Sequence, residues 1–175
     1  LADLARALGL RMLGPNCMGA FNVRGKFYPT FLQAFDHFGN TGWPRPGNIA
    51  IVSQSGAIGA HLFVLIRDRG LGLSKFVTTG NQADIDVADC IDYLATDSDT
   101  DVIAVYAEGI RNGPRLLAAL RKARANGKYV VVLKVGRSRA GAGAMLSHTA
   151  SIAGEDAVAE ALLSAGGAVR AASLT

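Results

Sequence analysis

A histidine and a serine-rich turn carry the residue types that could handle phosphate. His148 stands between two hydroxyl residues in "MLSHTASIAG", residues 145–154, and an imidazole whose unperturbed pKa is ~6.5 can act as a nucleophile near neutral pH. The stretch "SQSG" contains Ser53, Ser55 and Gly56, whose hydroxyl and backbone N–H groups could bind an anion at the start of a helix. These residue types together indicate phosphoryl chemistry.

Both motifs also have a plainer interpretation. Serine is a preferred N-cap residue, so Ser55 could simply cap a helix. A lone histidine such as His148 could be a surface residue that is hydrogen-bonded to its neighbours. "SQSG" is not a P-loop, because the lysine and the second glycine of that motif are missing.

A nucleophilic histidine needs an acceptor, usually a carboxylate, that fixes its other ring nitrogen. Glu108, in "YAEGI", is the only acid in the four loops that we expect to follow the predicted strands. A structural ion pair with Arg111 or Arg137 is the alternative for this residue. Three other acids are expected to lie at the start of a helix instead: Asp84, Asp86 and Asp89.

The elements that must position these residues alternate from residue 48 onward. Short β-branched runs predict strands at 48–53, 73–81, 101–110, 128–136 and 168–173. Helical periodicity predicts helices over 56–70, 84–97, 113–127 and 155–166. Because the strands lack inside–outside alternation and are separated by helices, the sequence predicts an α/β fold with a doubly wound, flavodoxin-like parallel sheet.

In such a sheet, ligands bind beyond the carboxyl ends of the strands. The loops that leave those ends are "SQSG", "TTGNQ", "AEGIRNG" and the long segment that begins with "KVGRS". The last of these spans 136–150, whereas strand-to-helix connections usually have about two to six residues, and long glycine-rich loops are commonly functional. The sequence therefore predicts one site at this edge that contains His148, Glu108 and the "SQSG" turn.

The first 47 residues do not follow this alternation. Residues 1–22 are predicted to be the end of a preceding α/β domain, residues 23–47 a linker that holds three of the five prolines, and residues 48–175 the flavodoxin-like domain. The chain begins with Leu inside a helical pattern. We therefore expect it to be a piece of a longer polypeptide.

Composition excludes several function classes. Half of the 175 residues are hydrophobic and 18% are charged, which is typical of a folded α/β domain and excludes a disordered chain. No apolar run approaches the ~20 residues of a membrane span. The net charge of +4 is scattered and only 7% of residues are aromatic, which favours a phosphate-bearing small molecule over nucleic acid. Cys17 and Cys90 lie far apart and have no Cys or His at metal-ligand spacing, so we expect neither a zinc site nor a disulfide. Two free thiols are typical of a protein in the reducing cytoplasm.

Four stretches carry a family resemblance: "LGLRMLGPNCMGAFN", "GNIAIVSQSGAIG", "VIAVYAEGI" and "VVLKVGRSRAGAGAMLSHTASIAG". They occur in order over nearly the whole chain, which resembles the NDP-forming acyl-CoA synthetases, the superfamily of the succinyl-CoA synthetase α subunit. The resemblance implies the tail of a CoA-binding domain followed by a succinyl-CoA-ligase-like flavodoxin domain. In that family the histidine of an "SHTG" motif carries phosphate.

By this resemblance His148 is the phosphorylated histidine and Glu108 the carboxylate that orients it. The phosphate-binding helix N-terminus corresponds to Ser53, Ser55 and Gly56.

The implied cofactor-binding residues are Asn16, Cys17, Gly80 and Asn81, and the "GPNC" loop with Asn16 corresponds to the loop near the CoA thiol and the acyl group. The implied reaction converts acyl-CoA, ADP or GDP, and phosphate into the free acid, CoA and the nucleoside triphosphate. Its cofactors are CoA and ATP or ADP with Mg²⁺, and its partner is an ATP-grasp domain or subunit in an oligomeric enzyme. The segment alone is expected to bind none of them and to be inactive.

One position departs from the family pattern. Ala150 stands where the family usually has glycine, which would strain the loop only if that position needs positive φ. Two other functions stay open. The first is an acyl-CoA-sensing domain fused to a protein acetyltransferase, although relatives of that kind have lost the histidine that this chain keeps. The second is a flavin binder, although aromatic clamps are absent from the strand-end loops.

Overall fold

The computed structural model describes residues 2–32, 42–135 and 156–174, where helices and strands alternate for most of the chain. The strands are β1 (Ala20–Asn22), β2 (Pro46–Ser53), β3 (Leu73–Thr78), β4 (Val102–Ala107), β5 (Tyr129–Lys134) and β6 (Val169–Arg170). The helices are α1 (Ala2–Ala7), α2 (Gly56–Asp68), α3 (Val87–Leu94), α4 (Gly113–Ala125) and α5 (Asp156–Gly166). Each strand and helix that the sequence predicts from residue 48 onward is present.

The strands form one sheet in the order β1-β3-β2-β4-β5-β6. The pairs from β3 to β6 are all parallel, and this order confirms the predicted doubly wound, flavodoxin-like fold. β1 is the exception, because it pairs antiparallel with β3 and extends the sheet by one short edge strand.

Two hydrophobic clusters cover opposite faces of the sheet. Successive β2 residues alternate between them: Ala50 and Val52 belong to the cluster formed with α3, α4 and α5, whereas Ile51 belongs to the one formed with α2. Because neighbouring side chains of a strand point to opposite faces, both faces of β2 are buried. The carboxyl ends of the central strands are thereby held in place from both sides.

The helix starts follow local capping signals. Asp86 caps α3 and forms a capping box with Asp89, so these two acids lie at a helix start as predicted. Asp84 has a different role: it accepts hydrogen bonds from Arg11 at 2.9 Å and from the Met12 N–H at 2.8 Å. It therefore ties the segment before β1 to the loop after β3.

The segment around β1 packs directly on the sheet. Phe21 stacks on Phe76 with ring centroids 4.8 Å apart, and Val23 and Leu32 are buried in the same cluster. The sequence predicts a linker over 23–47, but the described parts of that stretch contribute core residues and the first residues of β2. Where one domain ends and the next begins stays a prediction.

In the part of the chain that the structure describes, no helix has the length and apolar character needed to cross a membrane.

Candidate functional site

The first turn of α2 presents backbone N–H groups at the carboxyl edge of the sheet. Ser55 caps the helix, because its Oγ accepts a hydrogen bond from the Ile58 N–H at 3.3 Å. The N–H groups of Gly56 and Ala57 have no acceptor among the described residues. The capping interpretation of Ser55 is therefore correct, and the cap still leaves two donors that could bind an anion.

The sequence predicts that the Ser53 hydroxyl binds an anion, but in the structure this hydroxyl bonds to the protein backbone. It is fully buried at the end of β2, and its Oγ donates to the Ser55 carbonyl at 2.6 Å. This hydrogen bond shapes the turn that precedes α2. Ser53 thus stabilises the turn before α2, and its hydroxyl proton is used within the protein.

Thr79 adds a hydroxyl that the sequence analysis did not single out. Its backbone N–H donates to the Ser53 carbonyl at 2.8 Å, so the two residues are neighbours at the strand ends. Thr79 Oγ1 is buried and has no hydrogen-bond partner in the described part of the chain. Because an unpaired buried hydroxyl is costly, Thr79 is a candidate donor to a ligand.

Glu108 follows β4 at the same edge and is 7% exposed. Its backbone is held by Gln54, whose Oε1 accepts from the N–H groups of Glu108 and, at 2.9 Å, of Gly109. Gln54 Nε2 donates to the Gly109 carbonyl at 2.8 Å. One side chain therefore joins the loop after β2 to the loop after β4. In the sequence, Gln54 is only a glutamine between two serines, and nothing there indicates that its side chain contacts the loop after β4.

The predicted alternative for Glu108 is an ion pair with an arginine. Arg111 donates instead to the Gln82 carbonyl, and no ion pair joins it to Glu108 within the described ranges. Arg137, the other candidate, lies outside the described residues.

The charge of Glu108 acts on two buried neighbours. Burial raises the pKa of Tyr106, and the Glu108 carboxylate raises it further. Burial lowers the pKa of Lys134, which is 3% exposed at the end of β5, while the carboxylates of Asp156 and Glu108 oppose that shift. The edge thus combines an acid, a phenol and an ammonium group around the loop after β4.

The segment before β1 packs against the loop after β3. Asn16 Nδ2 donates to Asn81 Oδ1 at 3.2 Å, and the Asn81 N–H donates to the Pro15 carbonyl at 2.9 Å. Gly80 has a φ of +53°, and a Cβ there would lie 2.3 Å from the carbonyl oxygens of Pro15 and Asn16. The structure thus brings together Asn16, Gly80 and Asn81, three of the four predicted cofactor-binding residues.

Cys17, the fourth, is half-buried in the same segment, and its thiol donates to the Leu13 carbonyl with an Sγ to O distance of 3.7 Å. The next residue, Met18, contacts the start of α2: a Cβ on Gly56 would lie 2.5 Å from Met18 Cγ. The predicted cofactor-binding and phosphate-binding residues are therefore adjacent at one edge of the sheet.

His148 and Ala150 lie outside the described residues, so their assignment comes from the sequence alone.

Comparison with known proteins identifies the family and the fold of the chain. Residues 46–175 match the family described as the succinyl-CoA ligase like flavodoxin domain. The chain is 38% identical over 161 residues to the α subunit of the ADP-forming acetate–CoA ligase II of Pyrococcus furiosus, which covers 92% of this chain and 33% of that subunit. It is 37% identical over 171 residues to the ADP-forming 4-hydroxybutyrate–CoA ligase of Nitrosopumilus maritimus, covering 96% of this chain and 23% of that protein.

A solved structure has the same fold. Acetyl-coenzyme A synthetase 1 of Candidatus Korarchaeum cryptofilum, in complex with phosphate and ADP, matches with a TM-score of 0.86 and 35% identity. The match covers 99% of this chain and 36% of that one. The chain thus spans about a third or less of the length of these relatives.

Proposed function

Because the chain belongs to the NDP-forming acyl-CoA synthetases, within which it carries the succinyl-CoA ligase like flavodoxin domain, we propose that it is the phosphohistidine-bearing part of an acid–thiol ligase. The complete enzyme interconverts acyl-CoA, ADP and phosphate with a carboxylic acid, CoA and ATP. Relatives named for acetate and for 4-hydroxybutyrate indicate that the acid varies within the family.

The reaction divides into three balanced steps. A phosphate oxygen attacks the thioester carbonyl, the C–S bond breaks, and CoA leaves as the acyl phosphate forms. A ring nitrogen of His148 then attacks phosphorus, which breaks the bond to the acyl oxygen and releases the carboxylate. Finally, a terminal oxygen of ADP attacks the phosphohistidine, which yields ATP and the free imidazole. Each step transfers one group and needs no external oxidant or reductant.

The start of α2 is the observation that carries this proposal. The two N–H groups of Gly56 and Ala57 lack acceptors among the described residues, and the helix dipole adds a partial positive charge there. A phosphate or phosphohistidine at this position would satisfy both groups. Glu108 lies in the neighbouring loop, where its carboxylate could accept a hydrogen bond from the N–H of the second ring nitrogen of His148 and so define the attacking tautomer.

We assign CoA to the segment formed by Asn16, Cys17, Gly80 and Asn81, whose contacts hold it beside α2. ADP with Mg²⁺ belongs, in this proposal, to an ATP-grasp domain or subunit outside these residues. Within the described ranges, no group of three or more His, Cys, Asp or Glu residues could hold a metal ion. We further propose a cytoplasmic, oligomeric enzyme.

The test is phosphate labelling of the complete enzyme with γ-labelled ATP and magnesium. We expect a protein-bound label that is stable to base and labile to acid, and no label on His148→Ala. His61→Ala is the matched control, because His61 is exposed on α2 and has no assigned role. Equal labelling of His148→Ala and the wild type would contradict the proposal. A wild-type enzyme that binds acyl-CoA without becoming labelled would instead be the acyl-CoA sensor.

A further inference from the structure

We propose that Gln54 is the positioning residue for Glu108, and that it couples this carboxylate to the anion-binding turn of α2. This inference rests on the proposed function, because its effect is expected in the transfer of phosphate to His148. It concerns a residue to which neither the sequence motifs nor the family resemblance assigned a role.

The contacts of Gln54 are directed at the backbone of Glu108 and Gly109. Its Oε1 accepts from both N–H groups, and its Nε2 donates to the Gly109 carbonyl at 2.8 Å. The side chain is 6% exposed. Three hydrogen bonds thus hold two consecutive residues just beyond the end of β4, where the parallel ladder has stopped.

The main chain of Gln54 is fixed as well. Its N–H donates to the Tyr106 carbonyl at 3.1 Å, which continues the pairing of β2 with β4 by one step. Because main chain and side chain are both bound to the 106–109 segment, Gln54 has little freedom to move independently of Glu108.

The position of Gln54 in the chain links Glu108 to the start of α2. It lies between Ser53, which shapes the turn, and Ser55, which caps α2. The residue that holds Glu108 is therefore part of the turn that presents the N–H groups of Gly56 and Ala57. Any shift of Gln54 would change the distance between the carboxylate and the bound phosphate, and small errors in such a geometry can slow a reaction by up to about 10²-fold.

A double-mutant cycle on the complete enzyme tests this coupling. Gln54→Met has a similar shape but forms none of the three hydrogen bonds, and Glu108→Gln removes the carboxylate while keeping the backbone N–H. We expect Gln54→Met to slow single-turnover phosphorylation of His148 from labelled acetyl phosphate about tenfold or more, and from ATP, which we assign to the ATP-grasp domain, less than about threefold. In the Glu108→Gln background the same change should slow the transfer from acetyl phosphate less than about threefold, because the group that it positions is already gone.

Gln82→Met is the matched control. Gln82 is also a buried glutamine at this edge and its Oε1 accepts a backbone N–H, but from Val87 at 3.0 Å. We expect its phosphorylation rate to stay within about threefold of the wild type. If Gln54→Met does not fold, as judged by thermal unfolding, Gln54→Asn replaces it in the cycle, since it keeps a neutral amide but is one methylene shorter and cannot form the same three hydrogen bonds.

The outcomes separate the inference from the proposed function. A wild-type enzyme without label on His148 would refute the proposed function. A labelled wild type with an equally fast Gln54→Met, or with the same slowing in both Glu108 backgrounds, would overturn only the role of Gln54.

Discussion

The side-chain amide of Asn16 donates a hydrogen bond to Oδ1 of Asn81 over 3.2 Å. This contact joins the segment before β1 to the loop after β3 at the predicted CoA site. We expect Asn81→Ala to weaken CoA binding by the complete enzyme about fivefold, measured by calorimetry, because one hydrogen bond contributes about 1 kcal/mol. Stability should change little, since the side chains are exposed.

Asn48→Ala is the control for this prediction. Asn48 Nδ2 donates to Asp101 at 2.9 Å in another exposed pair, but at the amino end of β2. It should leave CoA affinity unchanged, and an equal loss in both variants would argue against a CoA site at Asn81.

Gly80 should tolerate no side chain. In Gly80→Ala the new Cβ would lie 2.3 Å from two backbone carbonyl oxygens, at a residue whose φ is already +53°. We expect a loss of about 3 kcal/mol in the free energy of unfolding, measured with urea, because strain adds to the overlap. Gly127 has a φ of +71° and open space around it, so Gly127→Ala should lose only about 1 kcal/mol. Equal losses would show that the close approach at Gly80 is unimportant.

The Lys75–Asp97 ion pair predicts a pH dependence of stability. The two side chains are 8% and 12% exposed and their charged atoms lie 2.7 Å apart. Burial alone would raise the pKa of Asp97, but hydrogen bonds from Lys75 and Thr100 outweigh it, so the pKa is lowered. A lowered folded-state pKa means that the stabilisation is complete above about pH 4 and is lost as pH falls through the folded pKa.

We therefore expect Asp97→Asn to cost about 3 kcal/mol at pH 7, and the difference from the wild type to shrink below about pH 4 in urea titrations. Asp92→Asn removes an exposed pair with Lys122 and should cost less than about 1 kcal/mol. A constant difference between Asp97→Asn and the wild type down to pH 2 would contradict the assignment.

The two cysteines should differ in reactivity. Burial, with smaller contributions from the carboxylates of Asp89 and Asp86, raises the pKa of Cys90 to about 12, so almost no thiolate forms at pH 8. Cys17 is half-buried and lies in the proposed CoA site. We expect iodoacetamide to label Cys17 alone in the native protein, as read by peptide mass spectrometry, and both cysteines after unfolding. In the complete enzyme CoA should slow the labelling of Cys17, and faster labelling of Cys90 would refute this prediction.

The sheet and its helices were predictable because their signals are local. Runs such as residues 129–134 are β-branched and continuous, and cap residues such as Asp86 precede their helices directly. β1 could not be predicted in this way. Its three residues are too few to show a period of two, and its partner β3 lies far along the chain.

The candidate site was predictable in part for the same reason. The turn at Ser55 and the acid Glu108 follow strands directly, so the topology alone places them at one edge. The reach of Gln54 across to the next loop and the burial of the Thr79 hydroxyl depend on packing in three dimensions. No pattern in the neighbouring residues reveals either of them.

The antiparallel pairing of β1 with β3 limits where a gene fusion could separate this domain from the residues before it. A gene rearrangement with its breakpoint just before Pro46 would leave the edge of β3 bare, which invites aggregation. It would also leave Phe76 without the ring of Phe21. The smallest segment that keeps the edge of β3 covered is therefore longer than the 46–175 segment that matches the family, and it includes the residues around β1.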